Sequence, residues 1–91
     1  MYTFIILISL PHFYCVINIK NKKYIKAFGK NLQRIRKEAK LTQEDLANDA
    51  DIPLSQVGRI ERGEVNTTIS TIYVLSQALK VEPSELFNYN I

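Results

Sequence analysis

TQEDLANDADIPLSQVGRIERG, residues 42–63, is the stretch that decides the fold. Its apolar positions are Leu46, Ala47, Ala50, Ile52, Val57 and Ile60. They predict a short helix, a tight turn and a second helix. Thr42 suits the N-cap of the first helix, over about Gln43–Ala50, and Asp45 three residues on completes a weak capping box. Asp51 falls in the turn. Pro53 opens the next helix, about Leu54–Arg62, and Gly63 stops it with a left-handed C-terminal cap. Polar side chains occupy the start and outer face of that second helix. Such a helix, held across a small partner, fits the width of the DNA major groove.

On the N-terminal side, a helical pattern runs from about Tyr24 to Ala39. Ile25, Phe28, Leu32, Ile35 and Ala39 recur at spacings of three and four and form one apolar stripe. Gly29 weakens its start, so the firm part begins at Phe28. On the C-terminal side, a loop spans Glu64–Thr67. Thr68 then caps a fourth helix over about Ile69–Leu79, with Ile69, Ile72, Leu75 and Leu79 inward. Pro83 fits the first turn of a short fifth helix, Pro83–Asn88, which brings Leu86 and Phe87 onto the surface of the bundle. No convincing strand follows residue 20, and there is no internal repeat. The expected fold is all-α, a compact bundle of five short helices.

Ninety-one residues make one domain with a modest core, which association with a second copy would help to stabilise. The single cysteine, Cys15, excludes an intramolecular disulfide and suggests a reducing compartment. No Cys/His cluster has metal-ligand spacing, and the lone His12 reads as structural. The net charge of +3 hides an asymmetry. Residues 20–40 hold nine Lys or Arg against one acid, Glu38, whereas residues 41–91 hold three bases and eight acids. The basic block is suited either to lie along a polyanion or to form a solvated helix face.

Residues 2–19, YTFIILISLPHFYCVINI, are uncharged and rich in Ile and aromatics, with Pro11, His12 and Asn18 interrupting. The run reaches the lower end of transmembrane length, and Lys20, Lys22 and Lys23 follow it. It lacks the basic start and the cleavage site of a signal peptide. Three readings stay open: an extension outside the core domain, an arm packing on the domain or a dimer mate, and a membrane anchor. The expected layout is an apolar extension and basic linker at 1–22 and a DNA-binding domain at 23–91.

LQRIRKEAKLTQEDLA, VGRIERG, TTISTIYVLSQALKV and SELF, taken in order, resemble the helix-turn-helix domain of the phage repressor and Cro type, the XRE family. The resemblance covers roughly residues 28–88 and rests on several spaced motifs: LxxIR, TQxxLA, xxIxRIExG and a fourth helix ending in ALxV. The small size and the segment ERGEVNTTISTI look most like controller proteins of restriction–modification systems. The resemblance implies a lambda-repressor-like bundle that binds double-stranded DNA as a homodimer, without cofactor or small-molecule ligand, in the cytoplasm.

It also implies roles for particular residues. Arg36 and Glu61 stand where the family joins its first and third helices with an ion pair. Gln43 stands where the family binds a phosphate and braces the recognition helix, at a helix N-terminus whose N–H groups favour anions. The recognition helix should present Leu54, Ser55, Gln56 and Arg59 to bases, with Arg59 able to bind guanine O6 and N7 together. Thr42, Arg62, Asn66 and Thr67 are the further phosphate candidates. Val81, Leu86, Phe87 and Tyr89 are the expected dimer contacts. The chain departs from the family at Asp51, where glycine is usual; at Pro53, which provides no side-chain cap; and at Gly58 inside the recognition helix, which costs about 1 kcal/mol relative to Ala.

The expected function is that of a sequence-specific transcriptional regulator. An antitoxin-like interaction module and a membrane-tethered regulator are the alternatives. No nucleophile–base set, paired carboxylates in an apolar setting, phosphate loop or metal site suggests an enzyme.

Overall fold

A computed structural model describes residues 20–90 of the chain. The three readings of residues 2–19 lie outside the described residues. Within them, four α-helices follow one another: α1 Lys22–Glu38, α2 Gln43–Ala50, α3 Leu54–Glu61 and α4 Ile69–Leu79. A 3-10 helix, Pro83–Phe87, closes the bundle. No strand occurs among the described residues, and none of their helices is long and apolar enough to cross a membrane.

α1 begins ahead of its firm apolar pattern because Asn21 caps it. The Asn21 side chain accepts from the Tyr24 amide at 2.9 Å, satisfying an otherwise unpaired donor of the first turn. Arg36 and Lys37 stand in its last turn, where the helix dipole favours positive charge. Ala39 is the C-cap, outside the helix and exposed, so the apolar stripe ends a turn earlier than expected, at Ile35. The capping box at α2 is complete: Thr42 Oγ1 accepts from the Asp45 amide and Asp45 Oδ2 from the Thr42 amide, both at 3.0 Å. α2 ends on Asp51 at φ 58°, a left-handed turn that Asp tolerates better than most residues. Pro53 starts α3 with no side-chain cap, and Gly63 ends the turn beyond it at φ 74°.

The core gathers one face from every element. Phe28, Leu32 and Ile35 of α1 meet Leu46, Ala47 and Ala50 of α2, Val57 and Ile60 of α3, Leu75 and Leu79 of α4, and Leu86. Each large side chain fully buried there stabilises the fold by roughly 1.5–3 kcal/mol. Gly29 lies at the closest approach of α1 to α3. A Cβ at that position would sit 2.6 Å from the Glu61 carbonyl oxygen and against that of Ile60. The residue that weakens the start of the helix locally is what permits the two helices to meet.

Three expectations are corrected. The fifth helix is a 3-10 helix, shorter by one residue, because the segment is too short to close α-helical turns. Its amides reach back three residues, Glu85 to the Glu82 carbonyl and Asn88 to that of Glu85. Asn31 Nδ2 on α1 also takes the carbonyls of Glu85 and Leu86, both at 2.9 Å. Leu86, expected at the surface, is therefore drawn fully into the core. Ile69, expected inward, is 84 % exposed. α4 is rotated so that Leu75, Ser76 and Leu79 face the core, which carries Ile69 and Tyr73, one turn apart, to the outside.

Candidate nucleic-acid interface

Glu61 organises the working face. Arg36 Nε donates to Glu61 Oε2 at 2.6 Å and Arg36 Nη2 to Glu61 Oε1 at 3.1 Å. The two side chains retain only 9 % and 2 % exposure. A two-pronged guanidinium–carboxylate pair is the strong form of this contact. Arg36 Nη1 donates further to the Leu41 carbonyl, which anchors the loop ahead of α2. Gln43 Nε2 donates to Glu61 Oε1 at 2.8 Å. One carboxylate thus ties α1, α2 and α3 together. The sequence reading anticipated the Arg36–Glu61 pair but not the bonds to Gln43 and Leu41, because nothing in the spacing of a glutamine shows which carboxylate it will meet. A carboxamide has two N–H donors. One is used on Glu61, and the other is available to a phosphate.

Val57 and Ile60 hold the inner face of α3 against the core, so its other face is turned outward. Leu54, Ser55 and Arg59 are exposed and Gln56 is half-buried. Ser55, Gln56 and Arg59 line one side of a groove of about 300 Å³, and Asn66 and Thr67 of the following loop line it too. Five of the anticipated contact residues are therefore brought together. Leu54 and Thr42 lie apart from that groove. Gln43 and Arg62 line a neighbouring one.

Arg62 is the C-cap of α3, and its Nε lies 2.7 Å from Glu64 Oε2 in an exposed pair. Such surface pairs exchange partners readily. A Cβ at Gly58 would press on the flexible guanidinium of Arg62, at 2.9 Å, and stand at an ordinary 3.8 Å from Gln43 Oε1, so the fold itself does not require glycine there.

Two exposed carboxylates make acid sensitivity predictable. The Thr42 amide and hydroxyl hold Asp45 below its ordinary value of 3.8, and the Arg62 guanidinium beside Glu64 holds that carboxyl below 4.5. Both groups bind protons more weakly in the folded chain. Their contribution is complete above those ordinary values and is lost as pH falls through the lowered ones. Thermal unfolding midpoints of wild type and Asp45→Asn are expected to differ at about pH 6 and to converge as pH falls below 3.8 and through the lowered Asp45 value. A gap unchanged across that range would contradict this account.

The fold class follows from this geometry: a short recognition helix, held outward by a preceding helix and an ion pair, on a small all-helical domain. The model of the helix-turn-helix family matches residues 32–86. The chain belongs to the helix-turn-helix family, and its fold and outward-facing α3 are those of a DNA-binding transcriptional regulator. Among its relatives is an uncharacterised helix-turn-helix transcriptional regulator, y4dJ, of Sinorhizobium fredii. It is 39 % identical over 61 residues, which cover 67 % of this chain and 79 % of the relative. The control protein C.BamHI of Bacillus amyloliquefaciens is 33 % identical over 63 residues, 68 % of this chain and 78 % of that one. The crystal structure of the restriction–modification controller protein C.AhdI from Aeromonas hydrophila aligns with a TM-score of 0.68 at 40 % identity, covering 69 % of this chain and 96 % of the other.

Proposed function

We propose that this chain controls transcription as a homodimer, each copy placing α3 in the major groove of one half-site of a paired operator. The observation that carries the reading is the groove where Ser55, Gln56 and Arg59 stand beside Asn66 and Thr67. Arg59 reads a base, Ser55, Gln56 and Leu54 contact neighbouring base edges, and Gln43, Thr42, Arg62, Asn66 and Thr67 bind phosphates. Similarity to C.BamHI and C.AhdI, a control protein and a controller protein by name, supports a role in the regulation of a restriction–modification system.

An apolar surface supports the second copy. Ile69 and Tyr73 are exposed on α4, and Ile72, Phe87 and Tyr24 line an adjoining cleft. Phe87 stacks on Phe28 with ring centroids 5.1 Å apart yet keeps 39 % of its surface exposed. Tyr89 packs on Tyr24 at 5.4 Å, and Val81 is half-buried. Leu86, buried in its own protomer, takes no part. Exposed apolar side chains around a cleft suit an interaction site. Two half-sites one DNA turn apart, about 34 Å, would be read from one face.

The test is selection of bound sites from random duplex DNA by the full chain. A paired-half-site motif is expected, and recovery of random sequence alone overturns the reading. On the selected site, Arg59→Ala is expected to lower discrimination against one base change by about 1–3 kcal/mol. Gel-shift titrations against matched and mismatched duplexes measure it. Equal weakening on both duplexes would remove Arg59 from base reading.

A further inference from the structure

A second groove, of about 320 Å³, adjoins the recognition face. Gln43, Glu61 and Arg62 line it from α2 and the end of α3, and Lys26, Lys30 and Gln33 line it from α1. Lys26 and Lys30 are one turn apart, exposed, and in no ion pair among the described residues. Acidic charge reaches this groove through Glu61, but Arg36 already neutralises that carboxylate in a buried pair. What remains beside the Gln43 amide is three basic residues: Lys26 and Lys30, paired with no acid among the described residues, and Arg62, held by Glu64 in an exposed pair that a phosphate can replace. The fold makes this row by bringing Gly63 against α1: a Cβ on Gly63 would lie 2.8 Å from the Lys26 Cα. The end of the recognition helix and the basic face of α1 are therefore in direct contact.

We propose that Lys26 and Lys30 form a phosphate track that continues the contacts of Gln43 and Arg62 along the DNA backbone beyond the recognition groove. The proposal rests on the DNA-binding reading above. It assigns this role to two of the six basic residues that α1 carries on its exposed surface. Lys23 and Lys37 lie on the same helix but do not line the groove, so they take no part in the track. Adjacent phosphates on one strand are spaced by one nucleotide, a span that lysines one turn apart match with their flexible stems. Phosphate contacts add affinity without sequence preference and release counterions.

The experiment measures binding of full-length Lys26→Gln/Lys30→Gln to the selected duplex as a function of salt. Each phosphate contact contributes about 0.9 to the slope of log affinity against log salt. The expected result is a slope shallower by about 1.8 than that of the wild type, with the preferred sequence unchanged. Lys23→Gln/Lys37→Gln removes the same charge and is expected to leave the slope within about 0.5 of wild type. Equal slopes for wild type and Lys26→Gln/Lys30→Gln overturn the track, as do equal reductions in both double variants. Loss of specific binding by the wild type itself would instead sink the DNA-binding reading. Circular dichroism of each variant confirms that the helices are intact.

Discussion

Replacing Glu61 by alanine is expected to cost about 3–5 kcal/mol of folding stability, read as a lower midpoint in urea. The side chain is 2 % exposed and its carboxylate accepts from Arg36 twice and from Gln43 once. Its loss leaves a guanidinium that is only 9 % exposed without a counter-charge. The cost lies in that stranded charge and not in the intrinsic strength of the pair, whose attraction is largely offset by desolvation. Removing both charges, as in Arg36→Met/Glu61→Leu, is therefore expected to restore most of the stability. DNA binding should not recover with it, because Gln43 loses the acceptor that orients its amide at the start of α2. A single variant less than about 1 kcal/mol below wild type would mean that water or another carboxylate reaches Arg36. Given that small domains hold only about 5–15 kcal/mol in total, the expected loss is a large share.

Gly29→Ala should destabilise by about 3 kcal/mol, the upper end of the range for overpacking. Helix propensity alone predicts the opposite sign, since alanine exceeds glycine by about 1 kcal/mol within a helix. The new Cβ would lie 2.6 Å from the Glu61 carbonyl oxygen, and a backbone atom in α3 cannot swing aside as a side chain can. α1 and α3 must separate, which also pulls Arg36 from Glu61. Gly58→Ala provides the contrast. There the nearest atom is the mobile end of Arg62, so a shift of the side chain relieves the contact and the propensity gain survives. Urea titrations of the two variants should move in opposite directions. A stabilised Gly29→Ala would show that the helices do not approach as closely as described.

The two glycines mark the limit of what spacing alone can say. Both break a helical pattern in the same way in sequence. Only the neighbouring helix distinguishes them, because a steric demand depends on atoms contributed from thirty residues away. Asn31 is similar. In the sequence it is a polar residue within an amphipathic pattern, yet in the fold it is buried and holds the carbonyls of Glu85 and Leu86, which takes Leu86 into the core. Ile69 shows the reverse error. It continues the three- and four-residue spacing of α4, but the helix is rotated so that Leu75, Ser76 and Leu79 meet the core and Ile69 does not.

Local chemistry was legible throughout. Thr42, Asp45, Asp51, Thr68 and Gly63 announce where helices start and stop because caps and left-handed turns act over a few residues, and the observed boundaries of α2, α3 and α4 follow them. The apolar period identified Leu32, Leu46, Val57, Ile60 and Leu75 as inward-facing for the same reason: side-chain direction repeats with the turn of the helix. The tertiary structure decided which elements meet. It set Glu61 between Arg36 and Gln43, placed Lys26 and Lys30 beside Arg62, gathered Asn66 and Thr67 to the recognition helix, and took Leu86 into the core through Asn31. Those outcomes depend on distances between segments remote in the chain, which packing of the whole core determines and no local pattern encodes.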